Sequence, residues 1–403
     1  MLDETKMAAA RERALSDFRG SPEGYAVAEK MVDFLLGDIA RLEEAEGVKW
    51  AKPIPEELIR RVWKMSAAAG LYSFMLPEHL GGAGLSLPDV CAVREAAILT
   101  GCVLANHVMG DSSGPPRIGH LFKVATDDQS ERFLAPICAG DKAICFALTE
   151  PGAGSDASAI RTRAERTNDG WVLKGQKRFI TGGDYADLAI VMAVTDPGAG
   201  NKGISAFFVD LHAKGVSKNT DYAILSGKAG TADLFFDDVH IGTDDLIGAE
   251  GGGFGLGMSR INVNRIIHCS TIMGLARYSL ELSLDHAGRR KQFGRAIGQF
   301  QAIQHMLADM ATDVSAGRAM LYDAATRHER GDDIRVAAAM AKLFAAENGF
   351  KVADRAMQVH GGVGTLQGSP IEYIFRRLRM YRITTGTSEI QKNTIAKGLL
   401  RQG

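Results

Sequence analysis

The chain has 403 residues, of which 46% are hydrophobic and 24% are charged, and its formal net charge is -1 at pH 7. This length suits two or three globular domains. The lack of a strongly basic or acidic block argues against a nucleic-acid surface or a polybasic membrane patch, and no apolar run approaches the roughly 18 residues of a membrane span. The charged N-terminal segment lacks the apolar core of a secretory signal, so we expect a cytoplasmic protein.

Residues 1–142 are predicted to form an all-α domain, because apolar residues recur there at helical spacing. Proline opens one of the helices, where its missing N–H has no helical partner to lose. In chain order the predicted features are a helix over 29–42, a helix opened by Pro53 and Pro55, a turn at 80–84, a break at Pro115–Pro116 and a helix over 130–137.

Residues 143–253 are predicted to form a β-domain, because short β-prone runs alternate there with Gly, Asn and Asp turns. The spacing of the runs favours an antiparallel sandwich or barrel. The predicted strands are 171–173, 178–181, 188–194, 204–209 and 234–236.

Residues 254–403 return to a helical pattern. Apolar stripes run along two predicted helices, one with Leu275, Tyr278 and Leu282 and one with Ile303, Met306 and Met310. Helical, then β, then helical order is an α+β arrangement, and the alternating βαβ pattern of a dinucleotide-binding sheet is missing.

The five cysteines are scattered without CxxC pairs, which favours free, buried or half-buried thiols in a reducing compartment. They are Cys91, Cys102, Cys138, Cys145 and Cys269. No metal ligands are predicted.

A glycine-rich loop stands out at residues 145–156, which read CFALTEPGAGSD. A Pro-Gly-Ala-Gly turn exposes backbone N–H groups and lets a planar or anionic ligand approach closely, while Thr149 and Ser155 add hydroxyls. Taken alone, a plain β-turn explains the segment equally well.

Four further segments place this loop in a known pattern. In chain order they are Phe179-Ile180-Thr181, Arg290-Lys291-Gln292-Phe293-Gly294 followed by Gln301-Ala302-Ile303-Gln304, Gln358-Val359-His360-Gly361-Gly362-Val363-Gly364, and Gly386-Thr387-Ser388-Glu389-Ile390-Gln391. Together with the loop they resemble the ordered signature segments of the acyl-CoA dehydrogenase family, over nearly the whole chain.

The resemblance implies an N-terminal helical domain, a middle β-barrel or sandwich domain and a C-terminal four-helix bundle, with the boundaries given above. It implies FAD as cofactor and α,β-dehydrogenation of an acyl-CoA thioester as activity. By analogy, the residues that face FAD bound to the same chain are Phe146, Leu148, Thr149, Ser155, Phe179, Thr181, Thr387 and Glu389.

The resemblance also implies a shared cofactor site and therefore a homo-oligomer, usually a tetramer built as a dimer of dimers. Arg290 suits a bidentate contact to a pyrophosphate, and adjacent glycines let the backbone approach the dinucleotide. The residues implied to bind a neighbouring subunit's FAD are Arg290, Gln292, Phe293, Gln358, Gly361 and Gly362, and Gln301 is a further implied cofactor contact.

The substrate side departs from the family pattern. Family enzymes remove the α-proton with a glutamate just before the GT of GTSEIQ, where this chain has Thr385, or with one before an arginine on the first long C-terminal helix, where it has Asn264. Neither side chain is a base near pH 7. The implied substrate contacts are Ser155, Asn262, Arg265 and Gly386.

Four explanations of the missing carboxylate stay open. The base comes from elsewhere, with Tyr381, Asp184 and Glu389 as candidates; or the chain is the base-less subunit of a hetero-oligomer whose paralogous subunit supplies it. Alternatively the chemistry needs no α-proton base, as in enoyl-CoA reduction, lyase or monooxygenase reactions, or the protein is a noncatalytic FAD-binding protein.

A nicotinamide enzyme or a scaffold protein is the competing class of function. The nicotinamide fingerprint needs GxGxxG after a strand and an acidic residue about 20 positions later, and the glycines at 252–255 have neither context. Electron-transferring flavoprotein is the electron acceptor that the resemblance implies, and oxygen is the alternative.

Overall fold

The computed structural model describes residues 4–111, 113–225, 227 and 230–400. Its α-helices, in chain order, are α1 (Glu4–Leu15), α2 (Pro22–Phe34), α3 (Ala40–Ala45), α4 (Glu56–Ala68), α5 (Leu87–Leu99), α6 (Ala105–Val108), α7 (Asp127–Gln129), α8 (Ala135–Cys138), α9 (Gly253–Arg289), α10 (Gln301–Glu329), α11 (Arg335–His360), α12 (Pro370–Tyr381) and α13 (Ser388–Leu400).

The β-strands, in chain order, are β1 (Ile144–Ala147), β2 (Arg163–Arg166), β3 (Gly170–Thr181), β4 (Leu188–Val194), β5 (Ile204–Asp210), β6 (Val216–Asn219), β7 (Thr231–Gly242), β8 (Lys291–Gln292) and β9 (Arg295–Ala296). The chain thus runs helical, β and helical in order, as the sequence predicts.

The chain folds as two compact units, each described here by itself. The β unit comprises Pro53–Gly84 and Asn106–Arg260, and the helical unit comprises Met1–Lys52, Leu85–Ala105 and Ile261–Gly403. The domain boundaries at 142/143 and 253/254 stay predictions. No helix in the described part of the chain has both the length and the apolarity to cross a membrane.

The β unit is organised around one sheet of seven strands in the order β1-β4-β2-β3-β7-β6, with β5 paired to β4. β4 and β5 are buried along almost their whole length, so they form the centre of the core. Trp171 packs edge-on against Phe207, with 5.3 Å between ring centroids. Such aromatic pairs contribute beyond the area they bury.

Three details of the sheet differ from the prediction. The runs 171–173 and 178–181 belong to one 12-residue strand, β3, because the glycine between them forms an irregular pairing with β7 rather than a turn. The run 234–236 is the centre of another 12-residue strand, β7. The sheet is also mixed, since β1 and β2 pair with β4 in parallel.

The helical unit is held together by small side chains that let helices approach closely. α11 buries a row of alanines against α10, α12 and α13. A Cβ atom on Gly349 of α11 would lie 2.6 Å from Ile272 Cγ2 on α9, so only glycine fits there. The predicted helix over 29–42 is also present, but it passes through a π-helical turn at Leu35–Ile39.

All five cysteines are free thiols, as predicted from their scattered spacing. Four are buried and Cys138 is half-buried. Burial raises the pKa of each thiol; the pKa of Cys138 rises to about 11.

Candidate active site

The glycine-rich loop after β1 is anchored by a buried ion pair. Lys177 Nζ on β3 donates to Glu150 Oε1 at 2.7 Å and to the Leu148 carbonyl at 3.1 Å. The Glu150 carboxylate also accepts the backbone N–H groups of Arg161 and Thr162 at 2.6 and 3.0 Å. Glu150 therefore shapes the loop instead of facing a ligand.

The charge of this anchor follows from its contacts. Burial alone would raise the pKa of Glu150, but the attraction of Lys177 and the hydrogen bonds outweigh it and lower that pKa. The carboxylate is therefore ionised. Lys177 was not identified from the sequence. The feature that distinguishes it is that a lysine occupies a buried position of a strand, where it has no exposed surface.

The structure brings the first two sequence segments together. The backbone N–H of Arg178 donates to the Thr149 carbonyl at 2.8 Å, which fastens the loop to β3. Leu148 is buried, Phe146 and Thr149 are half-buried, and Ser155 lies on the exposed part of the loop.

Phe179 is held in a strained and exposed conformation. Its φ is +55°, in the left-handed region that bulky residues avoid, and the residue is 55% exposed. Its backbone N–H donates to Asp233 Oδ1 at 3.0 Å, and its ring meets Tyr222 edge-on at 5.2 Å. Thr181, two residues on, is exposed. Strain of this kind is typical of ligand sites.

The Arg290 segment forms a short hairpin in the helical unit. β8 and β9 pair across a tip at Phe293 and Gly294, both with positive φ. Phe293 is 94% exposed, and Arg290, Gln292 and Gln301 are also exposed.

The Gln358 segment lies where α11 ends. Gly361 caps the helix with φ +59°, and the added Cβ of either Gly361 or Gly362 would meet nothing within 4 Å. Gln358, Gly361 and Gly362 are all exposed, so this helix end is an open backbone surface.

The last segment begins with a strained turn before α13. Thr385 has φ +57° and Gly386 has φ +87°. Lys342 Nζ donates to the Gly386 carbonyl at 2.7 Å, and Gln391 Nε2 donates to the same oxygen at 2.9 Å. Gln391 also reaches the Thr385 carbonyl at 3.3 Å. The surrounding hydrogen bonds thus maintain an unfavourable backbone conformation at Thr385.

Lys342 is fully buried within this arrangement. Burial is the main reason that its pKa is lowered to about 8. Its ammonium group contacts the Gly386 carbonyl directly, so it fixes the turn from the α11 side.

Thr385 contacts a histidine that the sequence analysis missed. The Thr385 hydroxyl lies 2.8 Å from His268 Nδ1, and the His268 ring meets Tyr381 edge-on at 5.5 Å. His268 is four residues after Asn264 on α9, so both project from the same helix face. The spacing from Asn264 was a sequence signal for His268, but its partner Thr385 lies 117 residues further along the chain.

Arg265 is buried one turn before His268. Its Nη1 donates to Asn262 Oδ1 at 2.9 Å, while its buried Nε has no partner. Burial lowers its pKa. A Cβ atom on Gly386 would lie 3.5 Å from Arg265 Nη2, so the predicted substrate contacts Asn262, Arg265 and Gly386 are neighbours.

The three candidate bases lie in different settings. Tyr381 is buried at 6% exposure, beside His268. Glu389 is exposed in the first turn of α13, and Asp184 is half-buried in the β unit. Thr387 accepts the Ile390 N–H at 3.3 Å and so caps α13.

The residues present fit FAD. The exposed rings of Phe179 and Phe293, both held at residues with positive φ, are suited to pack against an aromatic ring system. Arg290 and the open backbone at Gly361 and Gly362 suit a pyrophosphate.

A helical, β and helical chain carrying these five segments is a flavin-dependent oxidoreductase of the acyl-CoA dehydrogenase type. The chain belongs to the acyl-CoA dehydrogenase family. Models of the family's N-terminal, middle and C-terminal domains match residues 21–141, 145–239 and 251–400.

Two of the similar proteins are named as reductases. The chain is 36% identical to the 3-(aryl)acrylate reductase of Clostridium sporogenes, over 89% of this chain and 93% of that one. It is 34% identical to the caffeyl-CoA reductase-Etf complex subunit CarC of Acetobacterium woodii, over 94% and 100%.

Solved structures match over the same length. Butyryl-CoA dehydrogenase from Megasphaera elsdenii superposes with a TM-score of 0.84 at 30% identity, covering 96% of this chain and 100% of that chain. The structure of PigA with FAD and proline has a TM-score of 0.85 at 27% identity, with the same coverage.

Proposed function

We propose that this protein is an FAD-dependent oxidoreductase of the CH–CH group of an acyl-CoA thioester, in which the Thr385–His268 pair takes the place of a catalytic carboxylate. The observation that carries the proposal is the 2.8 Å contact between the Thr385 hydroxyl and His268 Nδ1. It lies at the position where the resemblance expects the family's usual glutamate, and the positive φ of Thr385 supports a functional role for this turn.

The chemistry of the pair follows from its two groups. Dehydrogenation removes the α-hydrogen as a proton and the β-hydrogen as a hydride, and FAD, when bound, accepts that hydride. A hydroxyl alone is too weak a base, but one that donates to a neutral imidazole passes its proton to Nδ1 as its oxygen takes the α-proton. The positive charge then rests on the imidazolium of His268.

The neighbouring groups support this role. The buried guanidinium of Arg265 has an unpartnered Nε and faces the turn that carries Gly386, so it is suited to bind the thioester part of the ligand. Lys342 and Gln391 hold the Thr385–Gly386 turn, which fixes the hydroxyl against the imidazole. Positioning of this kind is a large part of catalysis by proton transfer.

Reduction of an α,β-unsaturated thioester is the second candidate function. In that direction a protonated His268 gives its proton to Thr385 while the hydroxyl protonates the α-carbon, and reduced FAD, when bound, would supply the hydride to the β-carbon. A hydroxyl backed by an imidazolium is better suited to donating a proton than to removing one. The names of the Clostridium sporogenes and Acetobacterium woodii relatives, both reductases, support this direction.

We propose a homo-oligomer, built as a dimer of dimers, as the working form. The exposed hairpin around Arg290 and Phe293 and the exposed helix end at Gln358–Gly362 would then serve the FAD of a neighbouring subunit. Support comes from the 94% exposure of Phe293. An electron-transferring flavoprotein is the proposed electron partner, since the Acetobacterium woodii relative is named as part of a complex with one.

Anaerobic flavin spectroscopy tests the function. FAD-loaded protein is mixed with butyryl-, octanoyl- and palmitoyl-CoA, and chemically reduced protein is mixed with the matching enoyl-CoAs. We expect the saturated thioesters to bleach the oxidised flavin, or the enoyl-CoAs to restore the colour of the reduced flavin, or both. The rate of that reaction is expected to be at least tenfold lower in Thr385→Val and in His268→Gln. Thr385→Glu is expected to raise the dehydrogenation rate.

Two outcomes would count against the proposal. If no thioester changes the flavin in either direction, the protein is a noncatalytic subunit or performs other chemistry, and adding a paralogous subunit separates those cases. If Thr385→Val and His268→Gln react as fast as the wild type, the proton is carried by another group.

A further inference from the structure

Two arginines and a histidine form a buried basic cluster in the β unit. Arg260 is only 5% exposed, and its Nε donates to the Arg117 carbonyl at 3.3 Å. Buried nitrogens without any hydrogen-bond partner are Arg260 Nη2, Arg117 Nε and His120 Nε2. Each of these three side chains thus keeps a buried nitrogen whose hydrogen-bond capacity is unused.

The cluster is electrostatically unbalanced. Burial lowers the pKa of Arg117, while the negative charge of Asp111 opposes that shift. Among the described residues, the charged group that acts on Arg260 is Arg117, which has the same sign. Burial, and then the Arg117 charge, lowers the pKa of Arg260 to about 9. Burial, and then the Arg260 charge, lowers the pKa of His120 to about 3. An uncompensated buried charge is among the most unfavourable features a fold can carry.

The surroundings define what would restore the balance. The Arg260 guanidinium lies 4.4 Å from the centroid of the Phe146 ring, which shields one of its faces. Arg117 and His120 are each partly exposed, so the cluster can be reached from their side. A small planar anion whose two oxygens accept from different N–H groups fits guanidinium chemistry better than a bulky dianion.

We propose that Arg260 and Arg117 bind a carboxylate, and that this carboxylate is the distal end of an ω-carboxyacyl thioester. The link to substrate rests on the proposed function, because Phe146, which stacks on Arg260, belongs to the segment that is expected to face the flavin. His120 stays neutral and donates or accepts one hydrogen bond at the edge of the site.

The test compares thioesters that differ only in the terminal group. Anaerobic isothermal titration of protein whose FAD has been chemically reduced, so that saturated thioesters cannot react, uses glutaryl-CoA against pentanoyl-CoA, and adipyl-CoA against hexanoyl-CoA, with free glutarate as the third ligand. We expect the wild type to bind the carboxylated member of each pair at least tenfold more tightly, and Arg260→Met to bind both members equally. Arg117→Met is expected to weaken the preference in the same direction.

Arg166→Met is the matched control. Arg166 also stacks on an aromatic ring, with 4.4 Å between its guanidinium and the Trp171 centroid, but its side chain is 58% exposed and pairs with Glu250. This variant is expected to keep the full preference of the wild type.

Each alternative result would overturn the proposal. Equal wild-type affinity for both members of each pair excludes a distal carboxylate site, even if Arg260→Met fails to fold. Free glutarate that binds through Arg260 without any thioester preference assigns the cluster to a free carboxylate ligand. Because binding is measured without turnover, failure of the flavin-reduction experiment leaves this result intact, and the two proposals fail separately.

Discussion

The buried pair of Lys177 and Glu150 gives a sharp prediction about the glycine-rich loop. Lys177→Met removes a charge whose ammonium is fully buried and lies 2.7 Å from the Glu150 carboxylate. The carboxylate then keeps only the two backbone N–H groups of Arg161 and Thr162. We expect a loss of about 3–5 kcal/mol in the free energy of unfolding, as for other buried pairs that lose one partner.

The same change should loosen the cofactor. Lys177 also holds the Leu148 carbonyl at 3.1 Å, so its removal takes away two of the contacts that anchor the loop to β3. We expect FAD to dissociate more readily from Lys177→Met than from the wild type. The double variant Lys177→Met with Glu150→Gln should be less unstable than Lys177→Met, since no charge remains unpaired.

Lys174→Met is the control on the same strand. Lys174 is 66% exposed and its ion pairs with Asp237 and Asp238 are long, at 3.9 and 3.5 Å. Exposed pairs contribute about 0–1 kcal/mol. Urea denaturation and ultrafiltration of the flavin compare the variants. If Lys177→Met and Lys174→Met match in both measurements, the anchoring role of Lys177 is refuted.

Two further changes test the helical unit. Burial raises the pKa of the Glu43 carboxyl to about 7, although the backbone N–H groups of Leu104 and Val103 donate to it. The folded state therefore binds the carboxyl proton more tightly than the unfolded state does, and the free energy of unfolding falls as pH rises from about 4.5 to about 7. Glu43→Gln should remove this pH-dependent loss of stability, which is on the order of 1–3 kcal/mol. Thermal unfolding curves of the variant that keep the wild-type pH dependence would contradict this prediction. Phe293→Ser at the hairpin tip should shift the sedimentation coefficient toward smaller species and weaken FAD retention, whereas an unchanged sedimentation coefficient would show that the tip lies outside any subunit contact.

The chain order of the fold could be predicted from sequence because helical and strand periodicities differ along it. β4 and β5 were predicted almost residue by residue, since both are continuous apolar runs between turns. β3 was divided in two because Gly175 resembles a turn residue, and only its pairing with β7 shows that the strand continues.

Local sequence was enough to propose which segments face FAD, because each is a short run of residues, and that assignment stays a prediction. The structure joins the loop to β3 through the hydrogen bond from the Arg178 N–H to the Thr149 carbonyl. The His268–Thr385 contact is different, because it joins residues that are 117 positions apart. The spacing of His268 from Asn264 places it on a helix face but does not identify its partner, and the position of Lys177 in a strand likewise does not identify Glu150 as its partner.

Exchange of the α-protons with deuterium tests the central claim most directly. A thioester with sulfur in place of the β-carbon has no β-hydride to lose, so NMR of its α-protons in D2O with FAD-loaded protein reports proton transfer alone. We predict exchange with the wild type that falls by about 100-fold or more in Thr385→Val and His268→Gln, while Thr312→Val and His305→Gln, two exposed sites on α10, exchange like the wild type. Exchange that persists unchanged in both Thr385→Val and His268→Gln would contradict the account.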